Sequence, residues 1–360
     1  MQILKKNLAL HIAVLLILIS LLDEILPGIR YAKYLTIPFC LIIATTKGFR
    51  LNAQSSAGLW PFGLYLLAMI PYLVLNQVTN MDITADDAVF LLAYLLPLAF
   101  LPVCTVNIKN TFLASTIFFL FVSFGKLGGD FNFNILESGS SFEHSEFGFI
   151  FSFFLLYFVT RGEFKLAIIA TILAILSLKR IALLGSIVAW AIYAINPERL
   201  MPRKQIAIIA ALVNVAIIFL MKFTTTEEFN SLIYELTEKS ANHFTMGRST
   251  LYSFIFDHTS IQWFYGIGPG AIYSFASSAF DSSNRVLLHS DLLKLGIELG
   301  AVFLFMFFYM LYKERKLALE QIVLLNIILL TDNVLIYASV MFFFFILATR
   351  KTSTPTIATQ

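Results

Sequence analysis

Long apolar stretches separated by short polar segments make up most of the chain. A helix needs about 20 mainly apolar residues to cross the core of a bilayer, and about twelve stretches approach that length. They cover residues 7–22, 34–46, 57–78, 88–106, 111–127, 147–160, 166–178, 181–195, 205–221, 288–312, 317–330 and 334–347. The pattern predicts an all-α polytopic membrane protein with about twelve transmembrane helices and one large extracytoplasmic loop.

The composition supports a membrane protein and excludes several other classes. Of 360 residues, 59% are hydrophobic and 13% are charged, whereas soluble domains have about 45–50% apolar and about 25% charged residues. So little charge cannot cover so much apolar surface, which excludes a water-soluble enzyme and a disordered chain. The net charge of +3 is too small to indicate a nucleic-acid partner. Two cysteines within apolar stretches provide no disulfide framework or thiolate metal site, and we expect no cofactor or metal.

The distribution of charge predicts the direction of each helix. If the N-terminus is cytoplasmic and the helices alternate, every inner loop is basic and most outer loops are acidic, as the positive-inside rule requires. The predicted organisation has helices 1–9 in residues 1–221 and a periplasmic or other extracytoplasmic loop at 222–287. Helices 10–12 follow in residues 288–349, with a cytoplasmic tail at 350–360.

Four of the cations on the predicted outer side are candidate site residues. Lys179 and Arg180 separate two very apolar stretches, and Arg248 and Arg285 belong to the large outer loop. Charges at membrane depth are costly and often functional, and the planar guanidinium group matches phosphate oxygens. These residues therefore predict a site for an anionic, lipid-linked ligand. The alternatives are extension of the side chains to lipid headgroups and, for Arg285, an ion pair with a loop carboxylate.

The junction between the large loop and the tenth stretch contains several ionisable residues. Asp291, Lys294 and Glu298 have helical spacing, so they share one face, and such a face points to a cavity or a partner helix rather than to lipid. His289 is expected at or before the helix cap, where it could exchange a proton near neutral pH. His289 and Asp291 are therefore both candidate proton acceptors. The alternative for the polar face is an internal Asp–Lys–Glu pair that holds two helices together.

Two other outer motifs complete the set of candidates. Glu143 and His144 precede the sixth stretch and could bind sugar hydroxyls, or they could simply form a solvated start to the helix. The run from Gly266 to Gly270 lacks the strand and helix of a dinucleotide-binding unit. It is expected to form a tight turn that lets the chain approach helices closely.

The order of these motifs resembles that of a known family. A basic pair in Leu178-Lys179-Arg180-Ile181 is followed by a large outer loop containing Gly247-Arg248-Ser249 and Gly266-Ile267-Gly268-Pro269-Gly270. His289-Ser290-Asp291-Leu292-Leu293 then leads into Leu295-Gly296-Ile297-Glu298-Leu299-Gly300. From about residue 177 to residue 300, the chain resembles the O-antigen ligase and Wzy-type polysaccharide polymerase superfamily of bacterial inner-membrane glycosyltransferases.

The resemblance implies a GT-C-like helical fold, a site facing the periplasm and a donor glycan carried on undecaprenyl pyrophosphate. It implies inverting, metal-independent glycosyl transfer, with a chain-length regulator as a protein partner. Arg180 and Arg248 match the family's pyrophosphate-binding arginines, and His289 matches the histidine that opens the helix after the loop. Lys179 stands where a small polar residue is common, and Ser290 stands where an asparagine is common, so these positions depart from the family pattern.

The resulting hypothesis is a Wzy-type polymerase that joins lipid-linked repeat units into O-antigen, capsule or exopolysaccharide. A ligase of the same superfamily shares the donor site and is the first alternative. A metal-dependent transferase would need Asp23 and Glu24 as catalytic groups. A transporter or flippase for the same lipids is the alternative from another class, and it would form no glycosidic bond.

Overall fold

The computed structural model describes residues 2–47, 57–74, 81–101, 106–126, 145–244, 248–259, 264–272 and 288–349. Within these ranges the long regular elements are all α-helices. One isolated β-bridge joins Leu317 to Thr349. The helices are α1 (Gln2–Ser20), α2 (Thr36–Lys47), α3 (Trp60–Val74), α4 (Met81–Phe100), α5 (Ile108–Lys126), α6 (Ser145–Thr160), α7 (Phe164–Leu176), α8 (Arg180–Ile195), α9 (Arg203–Phe223), α10 (Glu227–Thr237), α11 (Ala241–Phe244), α12 (Arg248–Thr259), α13 (Asp291–Lys313), α14 (Leu319–Thr331) and α15 (Ala338–Ala348).

Each of the twelve predicted apolar stretches overlaps one of these helices, so the all-α prediction is confirmed for the described residues. Four segments there are long and apolar enough to cross a membrane: Ile108–Gly125, Arg180–Arg199, Arg203–Phe223 and Asp291–Lys313. The other apolar helices are shorter, for example Phe164–Leu176 and Ala338–Ala348. The chain is therefore a helical membrane protein. That the shorter helices also span the membrane remains a prediction.

The helices divide into a central group and an outer group. Every residue of α15 is buried, and α6 places a row of phenylalanines against it, with Phe153 contacting Phe344 and Phe154 contacting Phe343. On the outer group, α5, α7, α8 and α9, large apolar side chains such as Ile168, Ile187 and Leu212 are exposed. So much exposed apolar surface is rare on soluble monomers and suits contact with lipid.

The two ends of the bundle have distinct polar contacts. At one end, which we call the site end, α6 and α8 begin and α14 finishes. At the opposite end, Lys109 pairs with Glu163 at 3.0 Å, and Arg203 pairs with Glu198 and donates a hydrogen bond to the carbonyl oxygen of Tyr312. All of these opposite-end residues fall on the side that the charge pattern predicts to be cytoplasmic, so the contacts agree with the predicted alternation of helix directions.

A glycine turn of the large loop packs against a break in α13, as the glycine run predicted. Gly300 has φ +85 and ψ 164 inside the helix, which interrupts the helical hydrogen bonds around it. The N–H groups of Ile267 and Gly268 donate to the carbonyls of Ile297 and Glu298 at 3.0 and 2.9 Å, and so provide partners from outside the helix. A side chain at Gly266 would collide with the Glu298 carbonyl. Both glycines are therefore required for the close approach.

Replacing Gly300 with alanine is expected to destabilise the purified protein. The added Cβ would collide with the carbonyl oxygen of Phe264, and the left-handed backbone would itself be strained by about 1–3 kcal/mol. Gly28→Ala is the matched control, because Gly28 has φ +93 but no atom within 4 Å of a Cβ. In detergent, the thermal unfolding midpoint should fall clearly more for Gly300→Ala than for Gly28→Ala. Equal changes of the midpoint for the two variants would mean that the loop does not pack closely against the break in the helix.

Candidate functional site

Three ionisable residues from distant parts of the chain meet at the site end, and we call them the Asp332 cluster: Lys179, His289 and Asp332. The Lys179 Nζ lies 2.7 Å from Asp332 Oδ2, and the His289 Nδ1 lies 3.9 Å from Asp332 Oδ1. The Asp332 side chain is 3% exposed, whereas that of His289 is 48% exposed. The imidazole is therefore accessible from outside the bundle, while the carboxylate beside it is enclosed.

The surroundings of Asp332 keep its carboxylate charged. Burial alone would raise the pKa of Asp332, but contact with His289 and the charge of Lys179 outweigh burial and lower the pKa to about 2. Further donors are the Asn333 N–H at 2.8 Å and the Tyr337 hydroxyl at 3.3 Å. The arrangement therefore places a fixed anion directly beside the imidazole of His289.

Local backbone geometry places two side-chain partners of Asp332, namely Lys179 and His289. Leu178, directly before Lys179, and His289 adopt the left-handed conformation with φ values of 56° and 54°. A side chain at Gly148 of α6 would lie 2.7 Å from the Cβ of Lys179 and 2.7 Å from the Ser177 hydroxyl oxygen, so the glycine lets this turn approach α6 closely. Non-glycine residues rarely adopt this conformation, and such strain is concentrated at functional sites.

The start of α13 is fixed by contacts with the turn after α14. As predicted, His289 lies just before the cap, since Ser290 is the N-cap and accepts a hydrogen bond from the Leu293 N–H at 3.2 Å. The Asp291 N–H donates to the carbonyl of Asp332 at 3.2 Å, and the Asp291 Oδ2 accepts from the Leu335 N–H at 2.6 Å. Asp291 is 1% exposed and holds the turn that presents Asp332.

Arg248 lies at the first position of α12 and is connected to the same region through Tyr252. Burial raises the pKa of the Tyr252 hydroxyl, and the nearby charge of Arg248 and a side-chain hydrogen bond with Ser290 partly offset that rise. Tyr252 therefore lies near both Arg248 and Ser290, the residue next to His289. The hydroxyl of Ser249 also donates to the Thr224 carbonyl at 3.2 Å, which joins α12 to the end of α9.

The other predicted site residues have different outcomes. Arg180 is exposed at the first position of α8, next to Lys179 in the chain. Arg285, Glu143 and His144 lie outside the described residues. Glu146 follows Glu143 and His144 in the chain and lies in the first turn of α6. It accepts a hydrogen bond from the Ser339 hydroxyl, so the start of α6 also belongs to the site end.

The polar face of α13 is turned into the bundle. Asp291, Lys294 and Glu298 are all buried, which confirms that the face points away from lipid. The Lys294 ammonium forms an ion pair with the carboxylate of Asp87 from α4. A buried pair does join two helices, as the alternative interpretation expected, but the partner of Lys294 is Asp87 rather than a carboxylate of the stripe itself.

Sequence reasoning identified none of Asp332, Tyr252 and Asp87 as a site residue. A signal for Asp332 does exist. It is an acidic residue in a very short loop between two apolar stretches, on the same predicted side as the basic pair at 179–180. Nothing in the local pattern identifies Tyr252, because an aromatic residue in a short amphipathic helix is more often a packing residue.

The site combines cations that suit a phosphate with an accessible imidazole that suits proton transfer. Among the residues described, no group of three or more His, Cys, Asp or Glu side chains could hold a metal ion. The fold and the site thus define a helical membrane protein with a cationic, histidine-containing site at one end. No protein-family model matches the chain, and neither a curated protein nor a solved structure matches it.

Proposed function

We propose that the protein is a Wzy-type polysaccharide polymerase of the bacterial inner membrane. It joins oligosaccharide repeat units carried on undecaprenyl pyrophosphate by inverting, metal-independent glycosyl transfer at the outer face. The observation that supports this most is the Asp332 cluster, in which an accessible histidine lies beside a buried carboxylate. The cations Lys179 and Arg180 are adjacent in the chain, and Arg248 is connected through Tyr252.

The proposed reaction assigns a role to each charged group. A hydroxyl oxygen of the acceptor sugar attacks the anomeric carbon of the donor, and the bond from that carbon to the pyrophosphate oxygen breaks. Its electron pair leaves with undecaprenyl pyrophosphate, whose oxygens gain negative charge. Arg180, Arg248 and Lys179 stabilise that charge, which fixed donors at comparable sites do by about 3–4 kcal/mol each.

The proton of the acceptor hydroxyl passes to the imidazole of His289. The Nδ1 of His289 faces Asp332, so the other ring nitrogen is the proposed proton acceptor. The buried anion stabilises the imidazolium that forms, and the ring then releases its proton to water. Asp291 is less suited to this step, because its carboxylate is buried and accepts the Leu335 N–H. Asp332 acts through the imidazole of His289, so it is proposed as a positioning residue.

A ligase of the same superfamily would use the same donor chemistry with a different acceptor. A transporter or flippase is also supported by one observation, since α13 is broken at Gly300 and packs against a non-helical glycine turn. Interrupted helices with buried charges form the substrate sites of many transporters. The experiment must therefore separate bond formation from lipid movement.

The test is analysis of surface and lipid-linked glycans in a strain of the host lacking the gene. If the protein is a polymerase, gels should show a single repeat unit on the surface anchor, and the full-length ladder should return with the wild-type gene. Loss of all surface glycan together with lipid-linked polymer would instead indicate a ligase. Accumulation of lipid-linked single units that are inaccessible from outside would indicate a transporter and contradict the proposal.

A further inference from the structure

A cavity of about 510 Å³ lies at the opposite end of the bundle. Tyr157, Arg161, Tyr193, Asn196, Glu320 and Gln321 are among the residues that line it. The 16-residue helix α6 begins at the site end and finishes at this cavity, a length of about 24 Å. The volume falls within the range of small-molecule sites, about 300–1,000 Å³. The cavity is therefore a separate feature from the Asp332 cluster.

One buried acceptor in the cavity has an unmet hydrogen-bonding requirement. Gln321 is 1% exposed, and its Nε2 donates to the carbonyl of Phe153 at 3.1 Å. Its Oε1 is buried and has no hydrogen-bond partner among the described residues. Buried polar atoms are nearly always satisfied, and an unsatisfied one costs about 1–3 kcal/mol. A ligand with a hydrogen-bond donor would satisfy Gln321.

The same cavity offers hydrogen-bond donors for an anion, although the carboxylates of Glu198 and Glu320 also line it. Gln321 belongs to the first turn of the 13-residue helix α14, whose N-cap, Ala318, makes no side-chain capping hydrogen bond. The first N–H groups of a helix carry partial positive charge and bind phosphates. Arg161 lines the same cavity, with its guanidinium 4.2 Å from the ring centroid of Tyr157. A phosphate oxygen therefore has two kinds of donor in this cavity.

The acceptors and donors together fit a zwitterion. The carboxylate of Glu320 lines the cavity with the Gln321 amide, and both are acceptors for an ammonium group. We propose that this cavity binds an aminoalkyl phosphate of the phosphoethanolamine type, with the phosphate on Arg161 and the start of α14 and the ammonium on Gln321 and Glu320. The head group of a phospholipid and the soluble compound share this chemistry. The inference does not depend on the proposed polymerase activity.

The test measures the thermal unfolding midpoint of the full-length protein in detergent micelles. Dioleoylphosphatidylethanolamine, dioleoylphosphatidylglycerol, O-phosphoethanolamine and inorganic phosphate are titrated separately. A saturable rise of the midpoint with dioleoylphosphatidylethanolamine or O-phosphoethanolamine is expected, since a ligand that binds the folded state stabilises it. If only the lipid acts, the source is the membrane; if both act, the head group is sufficient.

Two variants locate the binding. Arg161→Ala and Gln321→Leu should each weaken the response by about tenfold in ligand concentration, as loss of a hydrogen bond to a charged group predicts. Lys165→Ala is the matched control, because Lys165 is an exposed cation at the same end that does not line the cavity. Arg161 is exposed, so its variant should fold even if Gln321→Leu does not. No saturable effect, an equal effect of dioleoylphosphatidylglycerol, or an unchanged response of Arg161→Ala would overturn the inference.

Discussion

Replacing Lys294 with methionine is expected to remove most of the folded protein. The Lys294 ammonium and the Asp87 carboxylate form an ion pair in which both side chains are almost fully buried, between α13 and α4. Replacing Lys294 removes the buried countercharge of Asp87, and breaking a buried pair in this way costs about 3–5 kcal/mol. That loss is large against the total stability of a folded protein, about 5–15 kcal/mol.

The measurement is the fraction of monodisperse protein after solubilisation, together with its thermal unfolding midpoint. The double variant Lys294→Met with Asp87→Leu is the informative control. Replacing a whole buried pair by apolar side chains is often neutral or stabilising, so the double variant should recover much of the yield. If Lys294→Met alone were as stable as the wild type, the pair would not hold these helices together.

Alanine at Arg180 or at Arg248 is expected to reduce polymer formation by about 100- to 1,000-fold, with the fold intact. Each guanidinium is proposed to bind the departing pyrophosphate, where a charge-assisted fork of hydrogen bonds is strongest. Lysine keeps the charge but loses the planar fork, so Arg180→Lys and Arg248→Lys should retain partial activity. The readout is the length distribution of glycan in the complemented deletion strain and the rate with purified lipid-linked substrate.

The matched control for these variants is Lys239→Ala. Lys239 is an exposed cation of the 222–287 segment, which also contains Arg248 and is predicted to be outer, and it is not assigned to the site. Its replacement should leave chain length unchanged, which separates a specific role from a general effect of positive charge. Full-length chains from Arg180→Ala or Arg248→Ala would refute the assignment of that residue. The polymerase proposal itself would still rest on the phenotype of the deletion strain.

The sequence was sufficient for the local features of the fold. Apolar length predicted the helices, and the spacing of Asp291, Lys294 and Glu298 predicted one buried face of α13. The glycine run predicted the close contact that Gly266 makes with α13. These features depend on neighbours within a few residues, where helical periodicity and glycine's lack of a Cβ act directly.

The partners of the charged residues could not be predicted in the same way. Lys294 and Asp87 are 207 positions apart, and Asp332 reaches Lys179 only because α6, α8 and α14 pack together. Periodicity shows that a face must be buried but not which helix covers it. For Lys179, the sequence indicated a cation available to a ligand, whereas the structure also gives it a fixed carboxylate partner. The site's electrostatics therefore became clear only with the tertiary arrangement.

The break in α13 has a consequence for how the protein is assembled in the membrane. Backbone carbonyls without partners are costly in hydrocarbon, and those of Ile297 and Glu298 are satisfied by N–H groups outside their own helix. The turn that supplies these donors, residues 264–272, precedes α13 in the chain and is therefore synthesised first. When α13 is inserted, its partner has already left the ribosome, so the helix need not wait for later-synthesised sequence to protect its exposed carbonyls.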